Sequence, residues 1–149
     1  MAPVFTSDAT FSAAENQTSI GTVTATDADG DTVSYSLSGT DASSMSINSS
    51  SGVLTFNSAP DYETKTSYSA TVTASDGTNS ATQDITVNIT DANDSAPVFT
   101  SSSSFSATEN QTSIGTITTT DPDNDPVTYS LSGTDASSMS IDSGSGVLT

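Results

Sequence analysis

Residues 67–74 read Ser-Tyr-Ser-Ala-Thr-Val-Thr-Ala, and residues 85–89 read Ile-Thr-Val-Asn-Ile. In both stretches apolar and polar side chains alternate with period two, the pattern of a β-strand with one buried face. Val33, Tyr35 and Leu37 alternate with Ser34 and Ser36 in the same way. No window keeps apolar residues at helical spacing for more than a turn. Thr, Val, Ile and Tyr favour strands, and Asp, Asn, Gly and Ser cluster between the alternating runs, where turns need them. Seven strands are predicted, near 10–14, 20–26, 33–37, 45–48, 53–57, 67–74 and 82–90. So many short strands in so few residues predict an all-β fold, a seven-stranded antiparallel Greek-key sandwich.

Working outward, the chain repeats itself. APVFTS at 2–7 returns at 96–101, ENQTSIGT at 15–22 returns at 109–116, and YSLSGTDASSMSI at 35–47 returns at 129–141. Between 2–55 and 96–149 only 12 of 54 aligned positions differ, without a gap. Such a match marks tandem duplication. The expected organisation is a complete repeat over 2–95 and the N-terminal part of a second over 96–149, carrying the first four strands and the start of the fifth. The 149 residues therefore read as an excerpt of a longer array. The second copy has no counterpart of 67–74 or 82–90, so its buried face needs a continuing fibre or another chain's strands, or else stays disordered.

Composition narrows the function. Leu, Ile, Val and Phe make up about a sixth of the chain, Ser and Thr more than a third, and the net charge is −17. That pairing resembles a disordered chain, but the scarce apolar residues are concentrated on strand faces. With no cysteine and no histidine there is no disulfide framework, thiolate site, imidazole base or imidazole-bound zinc. Lys65, the one basic residue, faces 18 acidic ones, which excludes nucleic-acid binding. No apolar run approaches the roughly 20 residues of a membrane span.

The acids are sorted by topology. In an up-and-down succession of seven strands, one end of the sandwich receives Glu15, Asp61, Glu63, Asp91 and Asp94, and the other receives Asp27, Asp29, Asp31 and Asp76. Stacking two copies end to end would bring the first group to Asp121, Asp123 and Asp125, eight carboxylates with no basic residue among them. Any one of these aspartates alone reads as a turn former. As a set they repel unless counter-charge arrives from outside. All-oxygen ligands, with Asn93 and backbone carbonyls, suit a hard cation, and Ca2+ tolerates an irregular shell of six to eight oxygens better than Mg2+ does.

These residues resemble the cadherin repeat, of the kind found in bacterial surface proteins. DANDSAPVF at 91–99 is similar to the family's linker DxNDNxPxF, AEN at 14–16 to its x-Glu-Asn element, and DYE at 61–63 to its Asp-Arg-Glu type motif. TATDADGD at 24–31 and TTTDPDND at 118–125 stand for AxDxD, and TASDG at 73–77 for AxDxG. The resemblance implies Ca2+ as cofactor. Two ions would be held by Glu15, Asp61, Glu63, Asp91 and Asp94 with Asp123, and a third by Asn93, the Ser95 carbonyl, Asp121, Asp123 and a carbonyl near Asp125. Asp27, Asp29 and Asp76 would serve a junction with a preceding repeat. Ser95 replaces the family's final Asn, where a backbone oxygen is the ligand. Without Trp, adhesion by exchange of an N-terminal Trp strand is not available.

Other motifs carry less. Asp27-Ala-Asp-Gly-Asp begins like an EF-hand loop, but Thr32 stands where Gly is needed and Ser38 where Glu is needed. Paired acids at repeat ends lack the cleft a glycosidase requires. Asn16, Asn48, Asn88 and Asn110 head N-x-S/T triplets, expected by chance in so hydroxyl-rich a chain. Tyr62 and Tyr68 are expected in the core or capping it. The expected function is non-catalytic: an extracellular module whose junction Ca2+ stiffens a stalk or fibre of neighbouring repeats. The alternative is calcium-dependent recognition of polysaccharide or of another copy.

Overall fold

A computed structural model describes all 149 residues, which form two compact units, Met1–Ala92 and Asn93–Thr149. No helix is long and apolar enough to cross a membrane.

The first unit is a sandwich of two sheets. One contains β2 (Thr10–Ala14), β5 (Ser34–Ser38), β8 (Ser67–Ser75) and β9 (Ser80–Thr90) in the order β2-β9-β8-β5. The other contains β3 (Ser19–Thr22), β6 (Met45–Ile47) and β7 (Val53–Phe56) in the order β3-β7-β6. A short β1 (Val4–Phe5) pairs with β4 (Ala25–Thr26). Pairing is antiparallel throughout except β2 with β9, which run parallel in the register Thr10↔Thr86 to Ala14↔Thr90. A parallel pair needs a long connection, and the whole of the intervening repeat supplies it.

The predicted strand at 20–26 is divided into β3 and β4. At Val23 the backbone N–H leaves the flanking strand pairs and donates to the Gly52 carbonyl at 2.9 Å, while the Thr24 carbonyl accepts from Thr6 N–H at 2.8 Å. β1, which the alternation did not announce, takes the second half as its partner. Two residues are too few for a period-two pattern to register.

The core sits between the sheets. Val72 and Ala74 of β8, Ile85, Val87 and Ile89 of β9, and Leu54 and Phe56 of β7 are all buried, every second residue along each strand. Full burial of a Val, Leu or Ile side chain contributes roughly 1.5–3 kcal/mol, so few aliphatics suffice once they share one interior. Phe56 and Tyr68 meet edge to face at 4.9 Å, and Tyr62 packs at the core margin, as expected for both tyrosines. Gly52 turns the chain at φ 71°, where an added Cβ would meet the Val23 carbonyl oxygen. The Ala25 N–H donates to the Tyr35 hydroxyl at 2.9 Å, tying β4 to β5.

The second unit keeps less regular structure. β10 (Val98–Phe99) pairs with β12 (Thr119–Thr120), β11 (Gly115–Thr116) pairs with β13 (Val147–Leu148), and Ile141 bridges Leu148. Residues 104–108 and 128–132, the counterparts of β2 and β5, are not strands. The expected first four strands are therefore only partly formed. In the first unit β2 and β5 are strands because β9 and β8 lie beside them, and the second unit holds no counterpart of either.

Candidate metal centres

At the C-terminal end of β2, Glu15 is only 3% exposed. Its Oε2 accepts from Tyr62 N–H at 2.9 Å and its Oε1 from Ala92 N–H at 2.7 Å, so one carboxylate ties together the β2 end, the loop before β8 and the exit of β9. The turn after it is made possible by Asn16, whose φ of 60° is one that Asn tolerates better than most residues. Asp61 heads the loop, where its Oδ1 and Oδ2 accept from the Thr64 N–H and hydroxyl at 3.1 and 2.9 Å. Glu15, Asp61 and Glu63 each bring a carboxylate oxygen within 4.8 Å of the others. Asp91 follows β9 and is exposed.

Lys65 lies four residues beyond Asp61 but does not serve this group. Its ammonium pairs with Asp41 and sits 4.6 Å from the centre of the Tyr68 ring. The Lys65 ammonium, and then the Ser69 N–H at 2.8 Å, hold the Asp41 carboxyl below the ordinary aspartate range. The one basic side chain of the molecule is thereby committed to a different carboxylate.

At the opposite end of the unit, Asp27, Asp29 and Asp31 also bring oxygens within 4.8 Å of one another. Asp27 Oδ1 accepts from the Asp29 N–H at 2.8 Å and more weakly from the Asp31 N–H at 3.5 Å. Its Oδ2 is buried without a hydrogen-bond partner. The Met1 ammonium pairs with Asp29, and that carboxylate holds the ammonium above the ordinary α-amino range. Asp76 does not belong to this trio. Its oxygens take the Asn79 N–H at 2.6 Å, the Thr78 N–H at 2.7 Å and the Asn79 side-chain amide at 3.2 Å, and the Asn79 and Thr78 backbone donors keep its carboxyl below the usual range. Asp31 does belong. Its signal was the even spacing of Asp27, Asp29 and Asp31, which the family motif cuts short after two acids.

In the second unit the same loop is built again. Asp121 Oδ1 accepts from the Asp123 N–H at 3.0 Å and the Asp125 N–H at 3.3 Å, and Asp121, Asp123 and Asp125 converge within 4.8 Å. Asn124 takes the left-handed position that Gly30 takes in the first loop, φ 61° against 80°. Asp123 is 8% exposed, and its Oδ2 accepts the Asp94 N–H at 3.0 Å and the Ser95 N–H at 2.8 Å, which docks the start of the unit onto the loop. The Ser95 hydroxyl donates to Asp94 Oδ1 at 3.3 Å. Asn93 is exposed.

Each trio is a set of hard oxygen donors. Two unit charges 4 Å apart repel by about 1 kcal/mol in water and about 4 kcal/mol near a protein surface, so each trio is costly without counter-charge. The donor chemistry, the short oxygen separations and the orphaned Asp27 Oδ2 fit a hard divalent cation of calcium type.

The profile of the Cadherin domain matches residues 9–90. Mouse cadherin-related family member 2 is 39% identical over 88 residues, covering 59% of this chain and 7% of that protein, so the chain spans a small part of the relative's length. The structure is similar to human protocadherin-24 EC1-2 with a TM-score of 0.86 at 25% identity, covering 99% of this chain and 76% of that one. It is also similar to the extracellular cadherin domains 3-6 of protocadherin gamma B2, with a TM-score of 0.76 at 26% identity over 99% of this chain and 42% of that one.

Proposed function

This chain belongs to the cadherin family, whose members are non-enzymatic adhesion-type modules, and from that premise we propose that it is a calcium-binding segment of an extracellular stalk. Residues 2–95 and 96–149 are taken as successive repeats. Glu15, Asp61, Glu63, Asp91 and Asp94 with Asp123 would hold two ions, and Asn93, the Ser95 carbonyl, Asp121, Asp123 and Asp125 a third. Asp27, Asp29 and Asp76 would serve a preceding neighbour, joined by Asp31. When bound, calcium supplies the counter-charge these carboxylates lack.

The observation that carries the proposal is the buried Glu15 beside Asp61 and Glu63, converged while Lys65 is engaged with Asp41. The residues themselves do the positioning: Glu15 fixes the loop through Tyr62 N–H, and Asp123 fixes Asp94 and Ser95. A cation that binds only the aligned neighbours shifts the population from a flexible string toward a rod. Extracellular modules of this type bind calcium at roughly 10⁻⁴ to 10⁻³ M. The partners are then neighbouring repeats and other copies; the comparisons give no support to polysaccharide.

Calorimetric titration with calcium, paired with small-angle scattering, tests the proposal. Calcium should bind and lengthen the particle, and Asp94→Ala should weaken both effects. Absence of heat in the wild type, or an unchanged response in Asp94→Ala, rejects it.

A further inference from the structure

The acidic loops at 27–32 and 121–126 keep every acid and change every residue beside one. Ala28, Gly30 and Thr32 in the first stand where Pro122, Asn124 and Pro126 stand in the second, three of the 12 positions at which the aligned copies differ. Both loops nonetheless take one shape. The first acid accepts the N–H groups of the other two, at 2.8 and 3.5 Å for Asp27 and at 3.0 and 3.3 Å for Asp121. The Gly30 and Asn124 N–H groups donate to the Asp27 and Asp121 carbonyls, each at 3.2 Å. The donors of the first loop are thus Asp29, Gly30 and Asp31, so proline at the positions of Ala28 and Thr32 removes no hydrogen bond that the loop uses.

The three changes act in one direction. Proline fixes its own φ and drives the residue before it out of the helical region. Pro122 therefore restricts Asp121, and Pro126 restricts Asp125. Asn124 has less backbone freedom to lose than Gly30. Core packing does not account for the prolines, because both are exposed. The acids also lie deeper in the second loop: Asp123 is 8% exposed and Asp125 half-buried, whereas Asp29 and Asp31 are exposed.

We infer that Pro122 and Pro126 are positioning residues that hold Asp121 and Asp125 converged before any cation arrives. Three carboxylates with oxygens within 4.8 Å repel one another, and a loop free to open relieves that repulsion by spreading. A site closed for only part of the time binds in proportion to that fraction. A loop that cannot spread is therefore filled at a lower cation concentration. Each proline at a compatible position shifts such an equilibrium by about two- to fivefold. The inference rests on the calcium reading for what the loop takes up, while the stiffness belongs to the metal-free chain.

The test is amide exchange of the full chain in chelator, followed by a calcium titration read at the same loop amides by nuclear magnetic resonance. Pro122→Ala combined with Pro126→Thr installs the first loop's residues. It should speed exchange of the Asp123 and Asp125 amides by about four- to twenty-five-fold and raise their calcium midpoint by the same factor, with Asp29 and Asp31 unchanged. Ala28→Pro combined with Thr32→Pro should do the reverse in the first unit, slowing exchange at Asp29 and Asp31 and lowering their midpoint. Exchange that neither pair of substitutions moves overturns the inference, as does exchange that moves while the calcium midpoints stay where they were. Absence of any calcium response in the wild type rejects calcium as the ligand instead, and exchange in chelator then decides the role of the prolines by itself.

Discussion

Residues 35–47 and 129–141 carry the same thirteen amino acids, yet they do not adopt the same structure. In the first unit Tyr35-Ser-Leu-Ser lies in β5, paired with β8, whereas in the second the identical residues form no strand. The turn that follows is the same in both: Gly39 and Gly133 have φ 102° and 115°, and Ala42–Ser44 and Ala136–Ser138 each form one 3-10 turn. The Thr6–Thr24 hydroxyl contact of 2.8 Å recurs at 2.8 Å between Thr100 and Thr118. Turns are encoded within a few residues, so they form with or without a partner strand beside them. A strand is a relation between distant segments, and without its partner the same side chains do not make one.

The sharpest way to break the comparison is to make the first unit resemble the second. Val87→Asp places a charge in a fully buried position of β9, a change expected to cost more than about 4 kcal/mol. Residues 34–38 should then exchange as fast as 128–132 in hydrogen-exchange measurements; continued protection would separate strand order from the β8–β9 pair.

Glu15 and Glu109 sharpen it next. Glu15→Ala orphans the N–H groups of Tyr62 and Ala92, an expected loss of about 1–3 kcal/mol by urea unfolding. Glu109 is exposed, so Glu109→Ala should stay within about 0.5 kcal/mol. Equal effects would mean that Glu15 does not organise its end of the sandwich.

Gly52 and Gly146 should instead behave alike. Both have positive φ, 71° and 72°, and an added Cβ at either would strike a backbone carbonyl, that of Val23 or Ile117. Alanine at each should cost at least about 1 kcal/mol. It should also speed exchange of the Val23 and Ile117 amides, which donate to these glycines at 2.9 Å. An effect in one unit only would show that the turn is less local than its geometry.

The smallest effect concerns Lys65, which has no counterpart in the second unit. The Asp41 carboxyl is lowered in the folded protein. Its contribution is therefore present above the ordinary aspartate value and is lost as pH falls through the folded one. Because Lys65 is 42% exposed, Lys65→Met should remove at most about 1 kcal/mol near pH 6 and almost nothing near pH 2. Urea midpoints at the two pH values decide it; an equal loss at both would assign the role of Lys65 to packing on Tyr68.

Much of this was legible in the chain. The alternation at 67–74 and 85–89 located β8 and β9, and the motifs at 14–16, 61–63 and 118–125 marked the residues that converge. The parallel pairing of β2 with β9, the break at Val23 and the short β1 were not legible, because each depends on which distant edge is available. Asp76 shares an end of the sandwich with Asp27 and Asp29, and there its carboxylate also accepts from the Asn79 and Thr78 backbone within its own turn. Conversely, nothing in the sequence marked Lys65 for Asp41 over the nearer Asp61 and Glu63.

The sequence by itself determined the sandwich, the recurrence of 2–55 at 96–149, the turns and the cadherin membership, since each rests on periodicity or on short motifs whose physics is local. The tertiary structure decided which acids meet, where the only lysine goes, and that 128–132 is not a strand. Those outcomes depend on burial and pairing across many residues, and identical residues answer differently when the partner β8 stands beside them and when it does not.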